Sequence, residues 1–342
     1  MGLTTDISWT DATWNPWIGC TPCSAGCFNC YAARWARRTG RGAFHDGPAQ
    51  AAADGYTSPL KWPKPDEGQR TVFVCSLSDY FDPRADAWRE DTWTMMRQTP
   101  WNTYILLTKR PERIPDRLPH DWPLANVGLG VTVENQANAR WRVPLIRRIP
   151  AAFRVASCEP LIGPVDFLEP AGHCGDDCTE VLSQAFGQAR PLGACYECDG
   201  TGYHETDPNA IACSACKGTG SCFAGIYVGG ETADPKDEAR PMHPDWARKL
   251  RDDCEEHGLA YHFKAWGEWT PYAGDAHADA SKGTPRVVLV DRDDGEVLEG
   301  NAGNVKPDVH TSTQAPMYLI GRRRTGRRLD GKTYDARPEA GQ

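Results

Sequence analysis

The stretch Val127-Gly-Leu-Gly-Val-Thr-Val133-Glu134-Asn135-Gln-Ala-Asn-Ala-Arg-Trp-Arg-Val-Pro-Leu-Ile-Arg-Arg148-Ile-Pro-Ala-Ala-Phe153-Arg-Val-Ala-Ser157 reads as strand, helix and strand in succession. Residues 127–133 and 153–157 are short apolar, β-branched runs bounded by turn residues, as buried parallel strands are. Residues 135–148 have the length of a crossover helix between them. Outward from this unit the same rhythm holds from about residue 71 to 267. Strands are expected at 71–75, 103–107, 225–228 and 260–263, and helices at 84–98 and 244–257. Right-handed crossovers turn such a series into an open α/β sheet or a barrel. Each expected strand ends in polar residues: Ser76, Ser78 and Asp79, then Thr108-Lys109-Arg110, Glu134, Glu159, Glu231 and Lys264. Strand C-termini are where an α/β barrel carries its site. Solvated loop residues would look the same one at a time.

The rhythm breaks at residues 169–223, which are rich in Gly, Cys, Asp and Thr and lack helical or strand periodicity; they read as an insertion folded around metal. Residues 270–313 are polar and Gly/Asp-rich and are expected to be loop. The segment Gly321-Arg-Arg-Arg-Thr-Gly-Arg-Arg-Leu-Asp-Gly-Lys332 is basic. The 342 residues allow one large domain or two. With 40% hydrophobic and 25% charged residues, a wholly disordered chain is excluded. No apolar run spans a membrane, and the N-terminus lacks the pattern of a signal peptide, so a cytoplasmic protein is expected. A net charge of −8 argues against a nucleic-acid coat protein but leaves room for a local basic groove.

Fourteen cysteines in such a chain point to metal ligands before disulfides. Cys20, Cys23, Cys27 and Cys30 fall within eleven residues. Cys23-x3-Cys27-x2-Cys30 has the spacing of the radical S-adenosylmethionine (SAM) signature, in which three thiolates hold a [4Fe–4S] cluster and leave one iron open. The competing reading is a structural zinc knot, although such knots usually come as two separated Cys pairs. In the second group, Cys195-Tyr-Glu-Cys198-Asp-Gly-Thr-Gly202 and Cys213-Ser-Ala-Cys216-Lys-Gly-Thr-Gly220 are two knuckles with fourteen residues between the pairs. Two such knuckles close a four-thiolate Zn2+ site. They resemble the zinc repeats of J-domain chaperones over about twenty-six residues, which implies no chaperone activity. His173, Cys174, Cys178 and Cys222 are candidates for a second metal.

Several longer motifs carry a wider resemblance. They are Ile7-Ser-Trp-Thr-Asp-Ala-Thr-Trp-Asn-Pro16, Gly19-Cys20 through Gly26-Cys27-Phe-Asn-Cys30-Tyr-Ala32, Leu107-Thr-Lys-Arg-Pro-Glu-Arg113 and Ser157-Cys-Glu-Pro-Leu-Ile-Gly-Pro164. Val228-Gly-Gly-Glu231, Ala239-Arg-Pro-Met-His-Pro-Asp-Trp246 and Phe263-Lys-Ala-Trp-Gly-Glu-Trp269 complete the set. From Ile7 to about Asp335, outside the insertion, the chain resembles a phage and bacterial radical-SAM-like family described as phage protein of unknown function. That family is similar to spore photoproduct lyase and other radical SAM barrels. The resemblance implies a partial (β/α) barrel of the TIM-barrel kind, a [4Fe–4S] cluster and SAM as cofactors, and an electron donor such as flavodoxin or ferredoxin. Its Cys-x6-Cys-x2-Cys pattern selects Cys20, Cys27 and Cys30 as iron ligands, with Cys23 the alternative to Cys20. Some members look like parts of phage thymidine-hypermodification pathways. The expected activity is therefore that of a radical SAM isomerase or mutase acting on a hypermodified thymidine adduct in phage DNA, in the host cytoplasm. A radical SAM lyase repairing damaged pyrimidines is the alternative enzyme. A zinc-organised nucleic-acid-binding module without chemistry is the alternative class.

Site roles follow from that expectation. Ser76, Ser78, Asp79, Glu134 and Glu231 are assigned to cofactor binding, with Ser78 or Asp79 at the SAM amino group and Glu134 at its ribose. Gly229-Gly230-Glu231 follows a later strand than the Gly-Gly-Glu element of radical SAM enzymes, so its role does not transfer by its letters. Lys109, Glu159 and Lys264 are assigned to catalysis, the lysines meeting a phosphate or carboxylate of the substrate. Arg322–Arg328, with Arg34 and Arg38 second, are expected to track DNA phosphates. The expected organisation is a barrel N-terminal part with the Fe–S loop (1–168), a zinc-binding insertion (169–223), a barrel C-terminal part (224–270) and an irregular extension with a basic tail (271–342).

Overall fold

The computed structural model describes residues 3–41, 44–167, 223–272, 286–300 and 313–338. Cys195, Cys198, Cys213 and Cys216, with His173, Cys174, Cys178 and Cys222, lie outside the described residues. In chain order come β1 (Ala12–Trp14), β2 (Trp17–Ile18), α1 (Tyr31–Arg38), β3 (Ala49–Gln50), α2 (Ala53–Tyr56) and α3 (Ser58–Lys61). Next are β4 (Arg70–Val74), α4 (Asp86–Gln98), β5 (Asn102–Thr108), β6 (Val127–Thr132), α5 (Gln136–Arg147) and β7 (Arg154–Cys158). β8 (Gly225–Gly229), α6 (Pro244–Glu256) and β9 (Ala260–Ala265) follow the insertion. Seven strands form one parallel sheet in the order β1-β4-β5-β6-β7-β8-β9, so every neighbour in space is the next sheet strand in sequence. The sheet curls into a half-barrel. Six of its strands lie where the apolar runs place them. The three-residue β1 was not foreseen, being too short to show a period.

Alternation along the strands sorts their residues onto two faces. On the outer face Val72, Val74, Leu106, Leu129 and Val131 share one buried cluster with Trp93 of α4, Val143 of α5 and Leu250 of α6. On the inner face Trp9, Phe73, Ile105, Phe153, Val155 and Tyr227 form a second cluster. Trp9 stacks on Tyr227 with ring centroids 4.6 Å apart and plugs the half-barrel from within. Gly130 makes room there: a Cβ would lie 2.9 Å from Leu107 Cδ1 and 3.0 Å from Val155 Cγ2.

The C-terminal part is more ordered than its composition suggests. β10 (Trp269–Thr270), β11 (Val287–Asp291), β12 (Val297–Gly300) and β13 (Gln314–Leu319) form an antiparallel sheet in the order β10-β13-β11-β12. This corrects the expectation of irregular structure there. The run Val287-Val-Leu-Val290 pairs with β13 and buries Val287, Val288 and Val290, a signal diluted by its polar surroundings. After α7 (Arg322–Thr325) the chain runs back along the half-barrel. Phe263 N donates to Tyr334 O (3.0 Å), and Arg337 Nη1 donates to Asp11 Oδ1 (2.7 Å). The chain end thus bridges from β9 to the segment that leads into β1. Among the described residues no helix is long and apolar enough to cross a membrane.

Candidate functional site

The first β→α connection, residues 15–30, carries the four clustered cysteines, all free thiols. It leaves the C-terminal end of β1 and is tied at once to the end of β4. Asn15 Oδ1 accepts from Leu77 N (2.7 Å) and Ser76 Oγ (3.2 Å), Gly19 N donates to Leu77 O (3.1 Å), and Ser78 Oγ donates to Gly19 O. Cys75, at φ 61°, turns the chain out of β4 toward these contacts. Left-handed backbone at a buried non-glycine residue is held by its surroundings. Here Cys75 N donates to Trp14 O at 2.8 Å.

Four buried carboxylates then clamp the loop over the strand ends. Asp82 accepts from Thr21 N and Thr21 Oγ1, both at 3.2 Å. Asp79 Oδ2 accepts from Arg110 Nη1 (3.0 Å), which also stands 3.7 Å from Cys20 Sγ; Arg110 Nη2 donates to Thr21 O. Glu134, fully buried at the end of β6, accepts from Arg142 Nη1 (2.6 Å) and from Ser24 Oγ. Glu231, beyond β8, accepts from Asn29 Nδ2 (3.0 Å) and from Arg240 N (2.8 Å) and Nε (2.9 Å), while Arg240 Nη2 donates to Ala25 O (2.9 Å). Buried carboxylates persist only when paired in this way. Gly26 permits the approach: a Cβ would lie 2.5 Å from Glu134 Oε1.

The strand-end residues expected at the site do gather there. Leu107, Gly130 and Val155 stand side by side in register, as do Thr132, Ser157, Tyr227 and His262. Two residues on from Leu107, Thr132, Ser157 and His262, alternation carries Lys109, Glu134, Glu159 and Lys264 to the same inner face. Lys109 Nζ lies 3.9 Å from Glu134 Oε1, and Lys264 Nζ lies 3.5 Å from Glu159 Oε1. Glu159 Oε1 is buried without a hydrogen bond, while Oε2 accepts from Trp9 Nε1 (3.2 Å). Asp79, expected to face a ligand's amino group, instead accepts four hydrogen bonds from within the chain. They come from Phe81 N, Thr108 Oγ1, Lys109 N and Arg110 Nη1, which fill both oxygens. Ser76 and Ser78 are likewise engaged with the loop. Arg110 stood among the polar strand ends without a role of its own, and Arg142, Arg240 and Asp82 were given no role from the sequence. Their only signal was adjacency, as in Thr108-Lys109-Arg110 and Asp79-Tyr-Phe-Asp82.

The electrostatics separate the thiols. A hydrogen bond from Cys23 lowers the Cys27 pKa to about 4; burial opposes this, and Lys109 adds to the lowering. The same bond, with burial, raises that of Cys23. Burial and the Asp79 charge raise Cys20 to about 12 against the pull of Arg110. Burial opposes the charge on Lys109, yet Glu134 and the thiols of Cys27 and Cys30 outweigh it and raise its pKa. Among the described residues no three His, Cys, Asp or Glu side chains stand close enough together, as positioned, to hold a metal ion. In kind, the donor set suits a thiolate-ligated cluster: soft sulfur donors on one loop, one held ionised, beside two cations that offset their charge.

Fold and site together define a class: a parallel α/β half-barrel whose first β→α loop bears clustered cysteines, clamped over the strand C-termini. The chain belongs to the family described as Protein of unknown function (DUF5131), whose model matches residues 4–338. No curated protein and no solved structure matches it.

Proposed function

We propose that the chain is a radical SAM enzyme, an isomerase that rearranges a hypermodified thymidine adduct in phage DNA. The observation that supports the enzyme class is the seating of four cysteines on one loop over the inner mouth of the half-barrel, opposite Lys109 and Arg110. The thymidine substrate is supported by the resemblance of the long sequence motifs. Cys20, Cys27 and Cys30 would hold the [4Fe–4S] cluster, with Cys23 in place of Cys20 as the alternative. The chemistry such a cluster would supply there, with SAM bound, is one-electron reductive cleavage of SAM.

The chain's own residues position and polarise. Arg110 and Lys109 lower the cost of gathering thiolates at one place. Asp79, Asp82 and Glu231 fix the loop by the bonds described above. Glu159 and Lys264 face the same mouth as an ion pair and offer a carboxylate and a cation to a polar substrate group. A base stacked in a duplex cannot reach such a mouth, so a DNA substrate must be extruded. A flavodoxin or ferredoxin would deliver the electron, and Cys195, Cys198, Cys213 and Cys216 would hold a structural Zn2+.

Anaerobic reconstitution tests the reading. About four irons and as many acid-labile sulfides per chain are expected, with release of 5′-deoxyadenosine. Mass spectrometry of nucleosides from incubated phage DNA then identifies the altered base. Zinc on every cysteine, with no sulfide and no 5′-deoxyadenosine, would make the chain a zinc-organised binding module instead. A restored unmodified pyrimidine would make it a repair lyase.

A further inference from the structure

Arg34 and Arg38 on α1 and Arg322, Arg323 and Arg324 on α7 are nearly three hundred residues apart in sequence, yet they line one groove of about 730 Å³, joined by Lys236. Among the described residues, the lining holds six cations and two carboxylates, Asp234 and Glu268, in a chain whose net charge is −8. A second groove of about 540 Å³ shares Arg34, Asp234 and Pro235 with the first and reaches Cys30. The two adjoin at these shared residues, and together they line a path from α7 toward the cysteine loop.

Arg34 stands at the junction. It is 7% exposed, and its Nη2 donates to Thr232 Oγ1 while its buried Nη1 has no hydrogen-bond partner. A buried guanidinium nitrogen without an acceptor is costly, and an anionic oxygen relieves that cost. Burial and the neighbouring Arg322 disfavour its charge, while Glu268 and Asp234 favour it. Aromatic faces flank the path: Phe28, 78% exposed, lines the second groove, and Tyr31, 46% exposed, lines the first.

We infer that this trench binds the phosphodiester backbone of a single-stranded or strand-extruded nucleic acid, Arg34, Arg38, Arg322 and Arg323 meeting phosphates while Phe28 and Tyr31 stack on bases. A cationic groove interleaved with exposed aromatics is how single strands are held without sequence preference. A single small phosphate ligand would need no trench with aromatics along it. The site deepens the function proposed above and rests on it for the chemistry at the cysteine loop.

Fluorescence anisotropy with a labelled oligothymidylate of about twelve nucleotides, on the full chain, tests the trench. The wild type should bind it more tightly than inorganic phosphate can compete for, and lose affinity steeply between about 50 and 200 mM salt. Arg322→Glu/Arg323→Glu should weaken binding by about tenfold or more and reduce the salt slope by about two. The exposed Arg38→Glu should act in the same direction alone, and Phe28→Ala should weaken binding without changing the slope. Lys61→Glu/Lys64→Glu, with the same charge change on an exposed surface outside the trench, should leave binding unchanged. Unchanged binding in the α7 double variant, an equal loss in the Lys61/Lys64 control, or displacement by millimolar phosphate would overturn the inference. Iron content and SAM cleavage are read on the same proteins. Cleavage with no trench effect removes the trench and keeps the enzyme, whereas a trench effect without iron or cleavage does the reverse.

Discussion

At the scale of single residues, the site is a set of thiols tuned by what touches them. In the metal-free protein Cys27, lowered to about 4, is already ionised at every pH from 5 to 9. Its alkylation by iodoacetamide should therefore be nearly flat over that range. Cys20, raised to about 12, should react slowly and speed up about tenfold per pH unit. Peptide mass spectrometry of timed samples separates the two, and a Cys27 rate that climbs through pH 8–9 would contradict the assignment. Gly26 tests the loop's seat. Gly26→Ala places a methyl against Glu134, whose carboxylate is fully buried and held by Arg142, so neither side yields easily. A loss of about 1–3 kcal/mol in unfolding free energy is expected, together with faster alkylation of the loop cysteines. Gly40→Ala, which meets nothing within 4 Å but sits at φ 65°, provides a comparison in which strain acts without a clash.

At the scale of elements, α6 begins on an uncommon cap. His243 Nδ1 accepts from Asp245 N at 3.1 Å, and the ring is buried with Nε2 unpaired. An acceptor role at Nδ1 requires that nitrogen to be unprotonated, and burial depresses the pKa to about 4. The folded pKa lies below the unfolded value near 6.5, so between about pH 4 and 6.5 the unfolded chain binds the extra proton. The contribution to stability is complete above the unfolded value and is lost as pH falls toward 4. Between pH 6.5 and 4.5 the wild type should lose about 2 kcal/mol more than His243→Asn, which retains a capping oxygen. Urea titrations at the two pH values measure the difference, and parallel losses in both proteins would refute the cap's role. The same scale explains a misreading of the C-terminal part. β11 and β12 are antiparallel partners of which β11 buries Val287, Val288 and Val290 while β12 stays exposed, and between polar segments their short runs carried too little pattern to stand out.

At the scale of the whole molecule, a half-barrel leaves open strand edges that could pair with other chains. Here the last described residues cover the β9 edge. Tyr334 and Asp335 run alongside Phe263 and His262, Arg327 pairs with Asp335, and Arg337 reaches Asp11 and Ser8 O near β1. The basic tail is therefore divided in its work: Arg327 is bound into the fold, while Arg322 and Arg323 face the trench. Ending the chain after Asp330 should cost about 2–5 kcal/mol through these lost bonds and should promote concentration-dependent association. Calorimetry and light scattering read the two effects. A truncated protein with an unchanged melting temperature would show that the edge needs no cover.

The sequence by itself determined the strand-and-helix series, because each strand writes its burial into its own apolar run, and the position of the polar strand ends, because they follow those runs. It also marked the cysteine loop by spacing alone. Only the tertiary structure decided what those polar groups do. Asp79 looked like a ligand for a cofactor, yet its acceptors are filled by Phe81, two residues on, and by Thr108, Lys109 and Arg110 at the end of β5. Arg110 was legible as a strand-end cation and Arg142 was not, but the carboxylates that both neutralise are placed by the curl of the sheet. Arg34 and Arg322 looked like two separate basic patches and became one groove. Periodicity records which face of an element is buried; the partners of a charge are fixed by distances between elements, and those exist only once the sheet has closed around its core.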